Sequence, residues 1–312
     1  MFIVFSDLHA YKNPSKSYIR DDGMSSWLFS QLNVLDQIFS YAKEHGINIV
    51  VHNGDLFHEK SRIPQSLYNI VWSYFAEKSN YFEIILNSGN HDLFSLDGGS
   101  SLKPFSDICT VISVPTEYKG MQFVPYGFDI PECTSSILFT HADISGLKYG
   151  PNDRESESKL SPRELADWKF VFNGHIHKPQ EIGNIVNVGS PMVQDFGEAG
   201  EGKRFIHYDG SDWKSIPLVG PQFVTFPYLD SSIKERIGDN NTDYFRFDIS
   251  SSEVGDDIFE KFNVSYRITK TEERVVRLVE DEDEEKLLLD YIHLMDVNLD
   301  KEKLIQIGKE ML

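Results

Sequence analysis

At 312 residues with 40% apolar content, the chain can bury a full core, and one large domain with an appendage is the expected organisation. No run approaches the roughly 18–20 apolar residues that cross a bilayer, which sets aside a membrane-spanning reading. The formal net charge of −19 excludes a protein that holds nucleic acid by bulk positive charge. Cys109 and Cys133 match no metal or redox spacing and are expected to be free thiols in a reducing, cytoplasmic compartment.

In chain order, residues 1–5 are an apolar run that leads straight into Asp7-Leu8-His9, so they read as a first strand and not as a signal peptide. Residues 27–43 place Leu28, Leu32, Leu35, Phe39 and Ala42 on one stripe and stop near Gly46, the pattern of a helix. A strand at 47–51 runs into Gly54-Asp55. Pro64 opens a helix over 64–77, striped by Leu67, Ile70, Val71, Tyr74 and Phe75. A strand at 82–86 precedes Gly89-Asn90-His91-Asp92. Beyond Met121 the strands shorten to 122–125, 137–139, 170–172, 185–188 and 205–208. The second of these leads to His141 and the third to Gly174-His175-Ile176-His177. Between them, 142–168 is long, polar and rich in Ser, Glu and Arg, and reads as a flap facing substrate. From about Pro221 a smaller α/β unit is expected, with strands 223–226 and 244–249, a short helix 256–262 and a strand 265–270. The acidic run 280–285 reads as a solvated spacer, followed by amphipathic helical segments at 287–295 and 301–312. The domains expected are thus 1–220, 221–279 and 280–312.

Five polar clusters therefore follow five apolar strands. Loops leaving the carboxyl ends of strands in an open α/β sheet converge on one rim, where ligands bind. Loops carrying Asp, His and Asn would gather oxygen and imidazole donors into a metal site, and their number suits two metals. That donor set fits divalent transition metals, whereas a structural zinc site would be expected to use thiolates. Two cations about 3.5–4 Å apart can share a carboxylate, activate water and stabilise in-line displacement at phosphorus. Asp55, in a tight turn after a strand, is the natural bridge. His91 supplies an imidazole able to protonate a leaving oxygen, with Asp92 either orienting it or completing a turn. His45, His52, His207 and His293 fall outside the clusters and read as structural.

The ordered set Asp-x-His, Gly-Asp, Gly-Asn-His-Asp, His, Gly-His-x-His resembles the calcineurin-type metallophosphoesterases. The run Gly54-Asp55-Leu56-Phe57-His58 with Ser61-Arg62-Ile63-Pro64, together with Gly174-His175-Ile176-His177-Lys178-Pro179 and Gly189-Ser190-Pro191, is similar to SbcD-type nucleases, the bacterial and phage relatives of the meiotic-recombination nuclease. The motifs cover about residues 1–215. The resemblance implies an α/β fold, a two-sheet sandwich flanked by helices, with a small capping domain and a C-terminal helical pair. It implies one metal held by Asp7, His9, Asp55 and His177 and a second held by Asp55, Asn90, His141 and His175. His91 would protonate the leaving sugar oxygen and His58 would hold the DNA backbone; from its position, His58 could instead cap the helix near Pro64. The ions implied are two manganese, with magnesium as the alternative. One departure is that His141 follows Thr140 where a Gly-His pair is common, although the ligand itself is intact.

The resemblance further implies DNA as substrate, an SMC-like coiled-coil ATPase bound through residues 284–312, and a homodimer formed through the region of the 67–75 stripe. Lys12, Lys16, Arg20, Lys60, Arg62 and Lys178 lie in the ligand loops and partly answer the acidic charge, with a partner expected to supply much of the DNA affinity. The activity expected is exonuclease and endonuclease. Its rivals are a phosphomonoesterase or small-molecule phosphodiesterase of the same fold, a binding subunit with a structural metal, and a metal-independent scaffold.

Overall fold

The computed structural model describes residues 1–93, 99–150, 152–240, 242–249, 256–268 and 303. The chain divides into two compact units, Met1–Arg267 and Ile268–Leu312. The expected spacer and tail helices lie outside the described residues, Lys303 excepted.

In the first unit, strands β1 (Phe2–Phe5), β2 (Ile49–Asn53), β3 (Glu83–Asn87) and β4 (Thr110–Ile112) run parallel, and β13 (Arg204–Tyr208) and β14 (Trp213–Pro217) extend the sheet antiparallel beside β1. A second six-stranded sheet has the order β11 (Gln180–Ile182), β12 (Ile185–Asn187), β10 (Phe170–Gly174), β7 (Ile137–His141), β6 (Met121–Val124), β5 (Thr116–Tyr118). Its four inner strands are parallel and its two edges antiparallel.

Alternation along the strands decides what lies on each face. In β1, Phe2 and Val4 join Val51, Ile85, Phe123, Phe139 and Phe172 in a core between the sheets. Ile3 and Phe5 point the other way, into a core shared with the helices α1 (Ser26–Glu44) and α2 (Gln65–Lys78). Every residue of the expected α1 stripe is buried. In α2, Leu67, Val71 and Phe75 are buried, while Ile70 and Tyr74 are only partly so.

The outer face of the second sheet carries a third core, in which Leu138 and Val171 meet Ile144, Leu147, Leu165 and Trp168. The latter four belong to the expected flap. It is thus a seated cover, with a two-stranded hairpin of β8 (Lys148–Tyr149) and β9 (Arg154–Glu155). Trp168 Nε1 ties it down by donating to Gln122 Oε1 at 2.7 Å.

A three-stranded sheet of β15 (Phe223–Phe226), β16 (Tyr244–Ile249) and β17 (Val264–Ile268), with α3 (Ser231–Ile237), has its own core around Phe247 and Ile258. Phe223 and Tyr244 stack at 4.6 Å and meet Trp27 of α1 edge-on, which joins this sheet to the large one. Among the described residues no helix is long and apolar enough to cross a membrane. Cys109 and Cys133 are free.

Candidate metal centre

The five motif loops leave the carboxyl ends of β1, β2, β3, β7 and β10 and meet at one end of the sandwich. Buried amides lock the two sheets together beneath them. Asn53 Nδ2 donates to the carbonyls of Thr140 (2.8 Å) and Phe172 (3.0 Å), and Asn87 Nδ2 donates to Asn53 Oδ1 (3.0 Å). An unmade buried hydrogen bond costs more than a made one returns, so such a seam fixes the relative position of the sheets. Thr140 is therefore accommodated within β7, its carbonyl taking an Asn53 proton, and His141 keeps its place.

Asp7, His9, Asp55 and His175 have positive φ of 55°, 47°, 60° and 87°. Non-glycine residues rarely adopt this region, and such backbone persists where the surroundings over-determine it. The Asp55 turn is held by Asp92, whose carboxylate accepts from the N–H groups of Asp55 (2.8 Å), Gly89 (2.9 Å) and Leu56 (3.0 Å). Asp92 thus completes a turn. Burial, then the Asp55 charge, push its carboxyl up to about 7. Gln31 of α1 fastens the first loop, donating to the carbonyls of Leu8 (2.8 Å) and His9 (2.9 Å).

All seven expected ligands come together. The side chains of Asp7, His9 and His177 form one convergent group, those of Asp55, His141 and His175 a second, and those of His9, Asp55 and His91 a third. Asn90 Oδ1 lies 2.9 Å from His175 Nδ1 and 3.3 Å from His141 Nε2. Asp55 is central, its Oδ2 lying 3.5 Å from His9 Nε2 and 3.4 Å from His141 Nε2. Its Oδ1 accepts the His91 N–H at 2.7 Å. The His91 ring stands over His9 at 4.7 Å, and its Nδ1 faces the His58 carbonyl at 2.5 Å. His58 is exposed, with its ring 5.9 Å from that of His91. The N-cap of α2 is Pro64, so His58 does not cap that helix.

Burial opposes the charge on Asp55, yet His141 and then His9 outweigh it and hold the carboxyl well below the usual range. Burial also opposes charge on His141, but Asp55 and then Asp7 raise it to about 9. Burial, helped by the charges of His177, His91 and His58, pushes His9 well down against the pull of Asp55, and burial with the charge of His141 lowers His175.

The donor set fits divalent cations. His141 Nδ1 faces the Asn53 carbonyl at 2.8 Å; a carbonyl only accepts, so Nδ1 carries a proton and Nε2 is the atom turned toward the cluster. That nitrogen has oxygens of Asp55, Asn90 and Asp7 within 3.9 Å, which draw a positive charge to it, a second proton or a metal ion in its place. The Nε2 atoms of His177 and His9 likewise stand 3.0 Å apart, and the buried His9 Nδ1 has no hydrogen-bond partner. Buried carboxylates and lone pairs aimed at one another are costly unless a cation lies among them.

The chain belongs to the calcineurin-like phosphoesterase family, whose model matches residues 1–179, the span that carries all five loops. The family hydrolyses phosphoester bonds at a dinuclear metal centre. A crystal structure of the Pseudomonas putida nuclease MPE is similar over 69% of this chain and 72% of that one, at 13% identity and a TM-score of 0.32. No match was found among curated proteins.

Sequence reasoning missed two supporting residues: Gln31 looked like one more polar position on a helix, and Glu198, which faces His177, stood in no motif. Neither carries a local signal, because each acts through a partner brought close only by folding. Asp92 stood in its motif with two readings open, of which the turn is the one found.

Proposed function

We propose that the protein is a metal-dependent DNA phosphodiesterase of the SbcD type, cleaving as exonuclease and endonuclease with two manganese ions. One ion would be held by Asp7, His9, Asp55 and His177, the other by Asp55, Asn90, His141 and His175. When bound, the pair supplies Lewis-acid stabilisation of charge at phosphorus and activation of water. The observation that supports this most is the placement of His91 and His58 in one cleft of about 390 Å³ with Asp55, His9 and Asn90.

The chain's own chemistry follows from that placement. The His58 carbonyl can only accept, so the proton on His91 Nδ1 is fixed and the ring exchanges its other proton at Nε2. In the imidazolium form, Nε2 would give that proton to the leaving sugar oxygen. The His58 ring is exposed, and Lys60 and Arg62 are exposed on the same loop, a set of donors suited to an anionic backbone. Lys12, Lys16, Arg20 and Lys178 are engaged within the chain, by Ser66, by the rings of Phe196 and Phe223, by Asp22 and Phe29, and by Asp153 respectively. Weak DNA binding by the isolated chain is the expected consequence. Two free cysteines accord with a cytoplasmic location.

The test compares linear duplex DNA with an aryl phosphodiester in the presence of manganese. His91→Asn is expected to lose about 10²–10⁴-fold on DNA, the usual worth of general-acid help, and far less on the aryl ester, whose leaving group needs no proton. Equal losses would remove His91 from the acid role. Wild-type turnover of an aryl phosphomonoester without any cleavage of DNA would favour the phosphomonoesterase reading.

A further inference from the structure

His177 makes one strong contact outside the donor cluster. Its Nδ1 lies 2.7 Å from Glu198 Oε1. An ionised carboxylate only accepts, so Nδ1 carries a proton, and in the neutral ring, the form that can bind a metal, the lone pair is on Nε2, facing His9. Glu198 is itself fixed. Its Oε2 pairs with Lys203 Nζ at 2.7 Å and accepts the Gln194 N–H at 3.0 Å. The Lys203 side chain is 4% exposed, and its Nζ also donates to Ser190 Oγ (2.9 Å) and to the carbonyl of His177 itself (3.2 Å). One buried cation thus touches both the carboxylate and the backbone of the histidine that the carboxylate holds.

The short turn Phe196–Glu198 is anchored from the other side. Phe196 meets Phe223 edge-on at 4.9 Å and lies under the Arg246 guanidinium at 4.4 Å. Glu198 therefore has little freedom to leave His177.

We infer that Glu198, held by Lys203, is a positioning residue that sets the tautomer and direction of His177, and so the affinity of one metal position while leaving the other unchanged. This rests on the proposed role of His177 as a ligand. Carboxylates behind metal-bound histidines fix the ring and raise its basicity, and their loss typically costs about 10–100-fold in metal affinity. Lys203 is shared with Glu201 Oε2 at 2.8 Å and offsets only part of the charge, so Glu198 acts by both direction and charge, and a neutral acceptor of the same shape should retain the directional part.

The experiment is calorimetric titration of manganese into the metal-free full chain. Glu198→Ala should weaken one of the two binding events by about 10–100-fold and leave the other at the wild-type value. Glu198→Gln should weaken the same event less, and Lys203→Met should act in the same direction. If Glu198→Ala does not fold, Glu198→Gln is decisive, and wild-type affinity in both of its events would overturn the inference. His177→Ala separates the two levels. If it retains both events, the ligand assignment is wrong; if it loses one while a folded Glu198→Ala keeps both, the ligand assignment stands and the inference about Glu198 fails.

Discussion

A side-chain carbon added at Gly89 would stand 2.2 Å from Asp55 Oδ1 and 2.4 Å from its backbone nitrogen, a spacing at which something must move. The atoms in the way belong to the carboxylate at the centre of the donor cluster. Gly89→Ala is therefore expected to displace Asp55, release manganese and lower kcat/KM on an aryl phosphodiester by about 100-fold, the scale of a misplacement near 1 Å. Gly202→Ala, where nothing lies within 4 Å of the new carbon, should change neither. Retained metal and activity in Gly89→Ala would show that the turn can relax. The donors were legible in the sequence because Asp, His and Asn each carry their own chemistry and stand in ordered motifs. Glu198 was not, since its meaning depends on a histidine 21 residues away that only the fold brings to 2.7 Å.

At the scale of elements, strands with apolar alternation and helices with a full stripe were readable, because burial writes itself into periodicity. The edges were not. In β14 only Trp213 and Ile216 are even partly buried, and β11 is three residues, Gln-Glu-Ile; such strands owe their conformation to the neighbour they pair with. The flap was read as polar and long, and its anchors Ile144, Leu147, Leu165 and Trp168 are too scattered to show a period. In α2 the expected stripe divides by depth. Leu67 is fully buried, so Leu67→Ala should cost about 2–5 kcal/mol in denaturant unfolding, and the partly buried Ile70 should cost clearly less on the same change. Equal costs would mean that the two positions are equally covered, as they would be if a second copy sat on the outer face of α2. The proposed homodimer would have to use that partly buried face, with Ile70, Trp72 and Tyr74, and a monomer by light scattering at micromolar concentration would count against it.

For the whole molecule, a charge of −19 and the proposed DNA substrate would be reconciled by a division of labour in which the chain performs the chemistry and a partner holds the DNA. The proposed attachment is the apolar tail, where Leu287, Leu288, Leu289, Ile292 and Leu294 precede Leu304, Ile305 and Ile307. If these segments form short amphipathic helices, they would be marginal alone and would gain stability by docking into a groove, and the proposal is that a coiled-coil ATPase supplies it. Deleting residues 284–312 should leave manganese-dependent cleavage of an aryl phosphodiester unchanged and abolish co-purification with such an ATPase. A truncated chain that still binds the ATPase with full affinity would refute the attachment. The central claim concerns Asp55, whose oxygens reach His9, His141 and the His91 N–H at once. Manganese titration of the wild type and of Asp55→Ala, both folded by circular dichroism, tests it most directly. Two ions per wild-type chain and weakened binding at both positions in Asp55→Ala is the result the shared-ligand centre predicts; two ions bound by Asp55→Ala with wild-type affinity would contradict it.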